Sequence, residues 1–565
     1  YLVEDYIYNS DMSFETGQDS YLWTVVPKGV AFKYVIDVDI KRKMKELIKL
    51  NKAVNPLFMK GDLRPKRYAH LMANHLKQYG LVESFDLSGA GDVEIEGLTY
   101  NSKEAGAGTL FVCKGAAFKE EYLKMAVKAG AAAYVSEIKY DEKEPYIIVS
   151  DIKKAMPKLA NLYHDFIWKK LNLIGLTGTK GKSTTVYFIK AILDDYLVGC
   201  GKKESAVISS IDTYDGVVNE VSHLTTPEAL ELHRHFQNAV DSGIEFLEME
   251  VSSQALKYHR VDDIVFDVGA FLNISEDHIS PIEHPDFDDY FHSKLKIFSQ
   301  IKTACINLES DHLDEIMEAA KASERIRTFG LTPKADIYAD HIRREGTDTV
   351  FEIHCDRFDM EFRISIPGAF NVENALAAVA VLYDYPIDAE HIYNGLYKAH
   401  PSGRMELYAT EDKKVIAVAD FAHNKLSFEK LFGSMRADYP EYHMIAFFGC
   451  PGGKGFNRRK PMAEVAAAYA DKVYIVADDP GDEPFSQTSA ELASYIEPTG
   501  TPYEIIENRA EAIEKAFRQI KQPTVLVMAG KGSDQFIKYG KTYVPCASDG
   551  QVVAKLIREY DEKYR

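Results

Sequence analysis

The sequence predicts an α/β protein of several domains, and three observations lead to that expectation. At about 150 residues per domain, 565 residues make three to four domains. A glycine-rich loop, Gly178-Thr-Lys-Gly-Lys-Ser183, stands between a short apolar run and a helical repeat of apolar residues. The last third repeats one pattern, in which an apolar run opens into a polar loop bearing glycine.

Residues 1–62 form an N-terminal extension of unassigned role, with a basic amphipathic helix expected over 41–51 and a linker over 56–65. The segment 63–165 reads as a compact α/β domain. A helix over 68–79 precedes short strands near 93–98 and 109–113, a helix over 120–129 and a strand over 132–136. A central domain, 166–401, opens with the strand Leu171-Asn-Leu-Ile-Gly-Leu176. After the glycine-rich loop, Val186, Ile189, Ile192, Leu193 and Tyr196 recur at helical spacing. Further strands fit 246–251 and 265–272. His400-Pro-Ser-Gly403 marks a boundary, and 402–565 forms the last domain. There Val415–Ala419, Met444–Phe448, Val473–Ala477 and Val525–Ala529 run into the loops at Asp420, Gly449, Asp478 and Gly530. In an open parallel sheet ligands sit beyond the carboxyl ends of the strands, so these loops are expected to meet around one crevice.

Composition narrows the function. Apolar residues at 46% and charged residues at 27%, without low-complexity tracts, exclude a disordered or fibrous chain. The balance of 67 basic against 86 acidic residues, net −19, argues against a general nucleic-acid binder, since phosphate neutralisation needs a basic surface. Six scattered cysteines suit reduced thiols. No apolar run approaches the roughly 18 residues that cross a bilayer. The start, Tyr1-Leu-Val-Glu-Asp5, has neither an initiator Met nor the order of a signal peptide. A cytoplasmic monomer without nucleic-acid or membrane partners is the expectation.

The glycine-rich loop has the parts of a phosphate cradle. Gly178 and Gly181 let backbone N–H groups approach phosphates, the following helix presents its positive end, and Lys182 supplies charge. Ser183 offers a hydroxyl to Mg²⁺. The spacing departs from G-x-x-x-x-G-K-[ST], because five residues separate Gly175 from Gly181. Glu250 closes one strand, and Asn273 closes another just before Asp277-His278. One carboxylate with substrate phosphates suffices for Mg²⁺. Taken alone, Glu250 reads as a strand-end surface carboxylate and His278 as structural.

Together these residues resemble the Mur ligase family of ATP-dependent amide-bond synthetases. Leu224-Thr-Thr-Pro-Glu228, Met249-Glu-Val-Ser-Ser-Gln254, His259-Arg260, Asn273-Ile-Ser275 and Asp277-His278 match in order. Asn371-x-x-Asn374, Ser402-Gly-Arg-Met-Glu406, Asp420-Phe-Ala-His-Asn424 and Ala529-Gly-Lys-Gly532 continue the match. The resemblance reaches from about residue 66 to the end. It is strongest to the branch that adds the third residue of the peptidoglycan stem peptide, and within that to lysine-adding members. It implies a UDP-binding domain, a central ATPase and a C-terminal Rossmann-like domain. It also implies an acyl phosphate formed from ATP on the D-Glu carboxylate of UDP-MurNAc-L-Ala-D-Glu and then attacked by an amine.

Position by position, the resemblance implies Lys182, Glu250, His278 and Lys294 as catalytic residues. Gly178, Thr179, Lys180, Gly181, Lys182, Ser183, Thr184, Asn273, Asn371, Asn374, Arg404, Asp420 and His423 are the implied ATP contacts. Ser102, Thr225, Thr226, Ser252 and Arg260 are the implied contacts to the UDP-MurNAc peptide. Ser183, Glu250, His278 and Lys294, the last as a carbamate (N6-carboxylysine), are the implied Mg²⁺ ligands. Phe421 replaces a usual tyrosine and Lys425 a usual proline.

For the incoming amino acid, the family's diaminopimelate branch has Asp-Asn-Pro-Arg in a crevice loop, whose arginine can grip a second carboxylate. Here that stretch is Asp478-Asp479-Pro-Gly481-Asp482-Glu483, without the cation, and Asp534 follows Gly530-Lys-Gly. Acidic walls favour an ammonium, so L-lysine is expected, with Lys454 or Arg458 holding its α-carboxylate. L-ornithine or meso-diaminopimelate, and a nucleotide-binding scaffold without catalysis, are the alternatives.

Overall fold

The computed structural model describes residues 12–16, 23–27, 67–89, 93–115, 118–140, 143–280, 283–346, 348–540 and 542–564. The chain divides into two units, Tyr1–Lys66 and Arg67–Arg565. In the first, Met12–Thr16 pairs antiparallel with Trp23–Pro27. The helix expected over 41–51 and the linker over 56–65 lie outside the described residues.

The second unit contains three α/β layers in chain order. The first is a five-stranded sheet in the order Val82–Asp86, Tyr146–Val149, Ala133–Ser136, Thr109–Val112, Gly97–Thr99. Its helices Ala69–Gln78 and Glu120–Lys128 fall where the sequence predicts them. The strands Val82–Asp86 and Tyr146–Val149 and the helix Ile152–Tyr163 were not anticipated.

The central sheet has eleven strands. Its core is parallel, with Asn172–Thr177 flanked by Phe246–Glu250 on one side and Phe266–Phe271 on the other. The phosphate loop, the end of the Glu250 strand and Asn273 therefore emerge at the carboxyl ends of three adjacent strands, which gathers the site. Three further strands, Ile337–Glu345, Asp348–His354 and Asp359–Ile364, extend the sheet as an antiparallel meander. The helix Phe370–Leu382 is buried on nearly every side, as its apolar stretch Ala375–Leu382 requires, and it carries Asn371 and Asn374 in its first turns.

The last sheet runs Glu406–Ala409, Val415–Asp420, Thr524–Ala529, His443–Phe448, Lys472–Ile475, Tyr503–Ile505, parallel except for its first strand. All four anticipated strands are present, and their loops converge at one end. Arg344, at the end of the meander, donates to the Tyr439 hydroxyl at 2.7 Å, so the meander touches the last domain.

Close packing is tight where the helix Ala389–Lys398 crosses Lys182–Gly199. A Cβ on Gly395 would lie 2.4 Å from the Ile192 Cα. Gly395→Ala is expected to cost about 1–3 kcal/mol through overpacking. A thermal melt should show a lowered midpoint; an unchanged one would contradict this packing account.

Candidate active site

The loop Gly178–Gly181 links strand to helix with two glycines at positive φ, +150° and +88°. At Gly181 a side chain is doubly excluded, since its Cβ would meet Asn374 Oδ1 at 2.2 Å. Asn273 fixes the loop from the neighbouring strand. Its Oδ1 accepts from Lys180 N at 2.9 Å, its Nδ2 donates to Lys180 O at 3.0 Å, and its carbonyl accepts from Thr179 N at 3.0 Å. Thr179 Oγ1 donates to Ser275 O at 3.2 Å.

Two ammonium groups meet at one carbonyl. Lys182 Nζ donates to Gly178 O at 2.8 Å and to Thr179 O at 3.3 Å, and Lys294 Nζ donates to Gly178 O at 2.9 Å. Lys294, 2% exposed, is held well below the usual lysine range by burial and by the neighbouring Lys182 charge. Burial also lowers Lys182, with Glu250 and Asp277 acting in the opposite direction.

Oxygen donors stand beside them. Glu250 Oε1 accepts from Ser210 N at 2.8 Å and Ser210 Oγ at 3.1 Å, and Ser210 Oγ lies 3.0 Å from Ser183 Oγ. Arg404, from the last domain, donates to both Ser183 Oγ and Ser210 Oγ at 3.2 Å and lies over the Phe421 ring at 4.7 Å. Phe421 thus keeps an aromatic platform under Arg404. Ser210 was missed in the sequence because it follows a strand of only three residues, Ala206–Ile208. Hydroxyl and carboxylate oxygens in this arrangement suit a hard divalent cation such as Mg²⁺. His278, at φ +56°, turns its Nδ1 to Glu283 Oε1 at 3.0 Å.

Asp277 joins the central and last domains. It is 4% exposed, and it receives Lys180 Nζ at 3.4 Å, Arg458 Nη2 at 2.9 Å and Asn424 Nδ2 at 2.6 Å. Burial alone would raise its carboxyl, but Lys180 and Arg458 outweigh this and hold it well below the usual carboxylate range. The Lys180 ammonium falls to about 8, through burial that Asp277 only partly offsets. Arg458, expected at the amino acid, is thus engaged with Asp277, and Lys454 is exposed.

These groups line a cavity of about 350 Å³ that includes Thr179–Thr184, Ser210, Thr225, Glu250, Ser252, Arg260, Asn273, His278, Lys294, Asn371, Asn374, Arg404, Asp420 and His423. Leu272, Phe329, Phe370, Met405 and Leu431 add apolar side chains to the lining, which suits a flat base. Asn371 donates to Pro367 O at 2.7 Å and accepts from Asn374 Nδ2 at 2.9 Å. Asp420 accepts from Met405 N at 2.8 Å and Ala422 N at 2.7 Å; burial raises its carboxyl, and Arg404 opposes the rise. Burial, with Lys180 and Arg458 nearby, keeps His423 well below the usual histidine range.

Arg260 also lines a second cavity with Lys114, Lys153, Tyr258 and His259. It donates to Thr226 O at 3.1 Å and pairs with Glu228 at 2.9 Å; Glu228 also meets Lys114 at 2.7 Å. Thr226 Oγ1 donates to Glu250 O at 3.0 Å and accepts from Ser252 N at 3.0 Å. Of the residues expected at the peptide, Thr226, Ser252 and Arg260 are thereby linked to one another and to Glu250, and Thr225 lines the same cavity as Glu250. Ser102 lies in the turn after Gly97–Thr99 and is not among the residues lining either cavity.

The acidic loops converge on Lys531, which the sequence reading did not assign. Its Nζ lies 3.0 Å from Asp479 Oδ1 and 3.1 Å from Asp534 Oδ2. Burial opposes its charge, but Asp478, Asp534 and Asp479 together raise its pKa. Asp478 is buried, and burial raises its carboxyl against the pull of Lys531. A Cβ on Gly530 would lie 2.9 Å from Asp478 Oδ2, so these loops touch. Asp482 is exposed, whereas Glu483 pairs with the buried Arg459 at 2.6 Å.

Residues 176–382 match the Mur ligase middle domain, and residues 403–532 match the Mur ligase, glutamate ligase domain. The chain is 37% identical over 466 residues to the UDP-N-acetylmuramoyl-L-alanyl-D-glutamate–L-lysine ligase of Enterococcus faecalis, covering 81% of this chain and 91% of that one. It is 36% identical over 491 residues to a UDP-N-acetylmuramyl-tripeptide synthetase of Ligilactobacillus salivarius, covering 82% and 94%. In three dimensions it is similar to a UDP-N-acetylmuramoyl-L-alanyl-D-glutamate–2,6-diaminopimelate ligase, with TM-score 0.57, 22% identity and 83% and 95% coverage. The MurF ligase from Thermotoga maritima, in complex with ADP, gives TM-score 0.54 at 18% identity, covering 83% and 97%. At these identities the structural likeness is one of fold.

Asp277→Asn keeps the shape but leaves Lys180 and Arg458 without their anion, a change expected to cost about 3–5 kcal/mol. Small-angle scattering should then show a larger radius of gyration; an unchanged profile would refute the role of Asp277 in joining the domains. Because the folded-state pKa lies below the unfolded value, the contribution is complete above about pH 4. It is lost only as pH falls further, so the wild-type profile should hold constant from pH 7, below the Lys180 titration near 8, down to 5.

Proposed function

The chain belongs to the Mur ligase family, and from that membership and the site's geometry we propose that it is an ATP-dependent ligase joining L-lysine to the D-Glu carboxylate of UDP-MurNAc-L-Ala-D-Glu. The observation that supports it best is the convergence on one cavity of the phosphate loop with Lys182, the Ser183–Ser210–Glu250 oxygens and Arg404 from the last domain.

A carboxylate is a poor acceptor for an amine until a leaving group is attached. The γ-phosphoryl group passes from ATP to a D-Glu carboxylate oxygen, giving ADP and an acyl phosphate. The amine of lysine attacks the acyl carbon, the bond to the phosphate oxygen breaks, and an amide, orthophosphate and a proton result. Little covalent work falls to the protein; positioning and charge neutralisation dominate. The Gly178–Ser183 backbone and Lys182 hold the phosphates, Asn371 and Asn374 face the base, and Arg404, Asp420 and His423 contact the nucleotide from the last domain. A triphosphate restores to the buried Lys180 and Lys182 the ionic stabilisation that burial removes. Thr225, Thr226, Ser252 and Arg260 hold the peptide end of the nucleotide substrate, with Ser102 at its uridine end.

Ser183, Glu250, His278 and a carbamylated Lys294 are the residues that would hold Mg²⁺. When bound, the ion neutralises charge on the transferred phosphoryl group. Lys294 is suited to carbamylation, because its lowered pKa favours the amine form, which can add to CO₂ with loss of a proton.

The lysine preference rests on the acidic loops, Asp478, Asp479, Asp482 and Asp534, and on Gly481 standing where an arginine would grip a second carboxylate. The likeness to the lysine ligase of Enterococcus faecalis supports the same reading.

With ATP, Mg²⁺ and UDP-MurNAc-L-Ala-D-Glu, phosphate release is expected on addition of L-lysine. An ¹⁸O label in the D-Glu carboxylate should appear in the phosphate. Release with diaminopimelate but not lysine would overturn the specificity, and the absence of release with any amino acid would overturn the ligase reading in favour of a scaffold. Lys182→Ala is expected to lower kcat by about 10³-fold or more. Asp478→Asn should raise the KM for lysine about tenfold and leave that for ATP nearly unchanged; equal effects would contradict the pocket. Protein equilibrated with ¹³C-bicarbonate should show a carbamate carbon resonance that Lys294→Ala abolishes; its persistence in the variant would place the carbamate elsewhere.

A further inference from the structure

The amino-acid pocket depends on two loops held at a fixed spacing, and the roots of those loops are not neighbours in the sheet. Asp478 follows Lys472–Ile475 and Gly530 follows Thr524–Ala529, while His443–Phe448 lies between those strands. Two strand spacings, about 9.5 Å, separate the strand ends, which share no ladder hydrogen bond; only beyond them do the loops meet, where Gly481 N donates to Lys538 O at 3.0 Å and Lys531 Nζ donates to Asp479 Oδ1 at 3.0 Å.

One buried side chain spans that gap. Arg509 begins the helix Arg509–Arg518 and is 5% exposed. Its Nη2 donates to Ala529 O at 3.0 Å and its Nη1 to Ala477 O at 3.4 Å, the carbonyls immediately before Gly530 and Asp478. Its Nε donates to Asp549 Oδ1 at 3.0 Å, and Nη2 also meets Asp549 Oδ2. Asp549 opens the last helix, Asp549–Tyr564.

We propose that Arg509, oriented by Asp549, is a positioning residue for the amino-acid site: it ties the ends of two non-adjacent strands and so sets the spacing of the Asp478 and Gly530–Asp534 loops. The proposal rests on the reading of those loops as the amino-acid pocket. Net stability does not explain the arrangement, since a buried ion pair is often no better than an apolar pair of the same volume. A planar fork accounts for it, because five N–H donors in fixed directions can satisfy a carboxylate and two separated carbonyls together, which an ammonium cannot. The tie also reaches the nucleotide side, because Gly530 N donates to Asp420 O at 3.1 Å.

Arg509→Lys, Arg509→Met and Asp549→Asn in the full chain test this. In Arg509→Lys, amide hydrogen exchange should quicken in 478–483 and 530–535 together, while the amides of Thr179 and Lys180, held by Asn273 of the central domain, stay as in wild type. The KM for lysine should rise about tenfold, with the KM for ATP within about twofold. Arg509→Met should exceed both effects. If it does not fold, Asp549→Asn, which keeps the guanidinium but loosens its orientation, should give a smaller shift of the same pattern. Unchanged exchange in the two loops, or an equal rise in both KM values, would overturn the proposal. Exchange is read without amino acid, so a wild-type protein that releases no phosphate with lysine would count against the ligase reading, while the exchange result still decides the tie.

Discussion

Lys182 and Lys294 both donate to Gly178 O, at 2.8 and 2.9 Å. Two ammonium groups converging on one carbonyl repel each other, and both are largely removed from water. The protein tolerates this because three parallel strands end side by side, fixing the loop, the Glu250 carboxylate and Asn273 before any side chain is placed. Asn273 then grips the Lys180 peptide from both sides, so the loop cannot relax away from its cations. The depressed pKa of Lys294 follows from the same crowding. Burial that would be a liability in a structural lysine shifts this one toward its nucleophilic amine form.

Asp277 extends that constraint across domains. It accepts charge from Lys180 in the phosphate loop and from Arg458 in the last domain, so loop geometry and domain position share one carboxylate. Asn424 holds Asp277 while capping its own helix: its Oδ1 accepts from Ser427 N at 3.0 Å, and Ser427 Oγ accepts from Asn424 N at 3.1 Å. This capping box offsets the absence of a proline at the first helical position, where Lys425 stands. Sequence departures in this loop are therefore absorbed locally, and the contact to the central domain is kept.

Legibility in the sequence followed contiguity. The phosphate loop, the Glu250 strand, Asn273 and the strand-to-loop units of the last domain were readable because each is a run whose chemistry and periodicity agree. Ser210 was not, since its strand is too short to show a period. Lys531 was read as part of a motif, yet its function as a counter-ion depends on two loops meeting, which no local pattern encodes. The meander over 337–364 escaped for another reason: its turns, including the one at Gly346, carry none of the residues that marked the site.

Lys531 also alters the electrostatics that the acidic loops alone imply. Asp478, Asp479 and Asp534 contribute three negative charges when ionised, and Lys531 returns one, so the group has a net charge of −2. Burial raises Asp478 and Asp534, which softens the field further without reversing it. A single ammonium at the end of an aliphatic chain is still attracted. A second carboxylate at that position would meet the acids and find Lys531 already engaged by Asp479 and Asp534. Discrimination of this kind comes less from a strong bond to the accepted group than from the unpaired charge imposed on the rejected one.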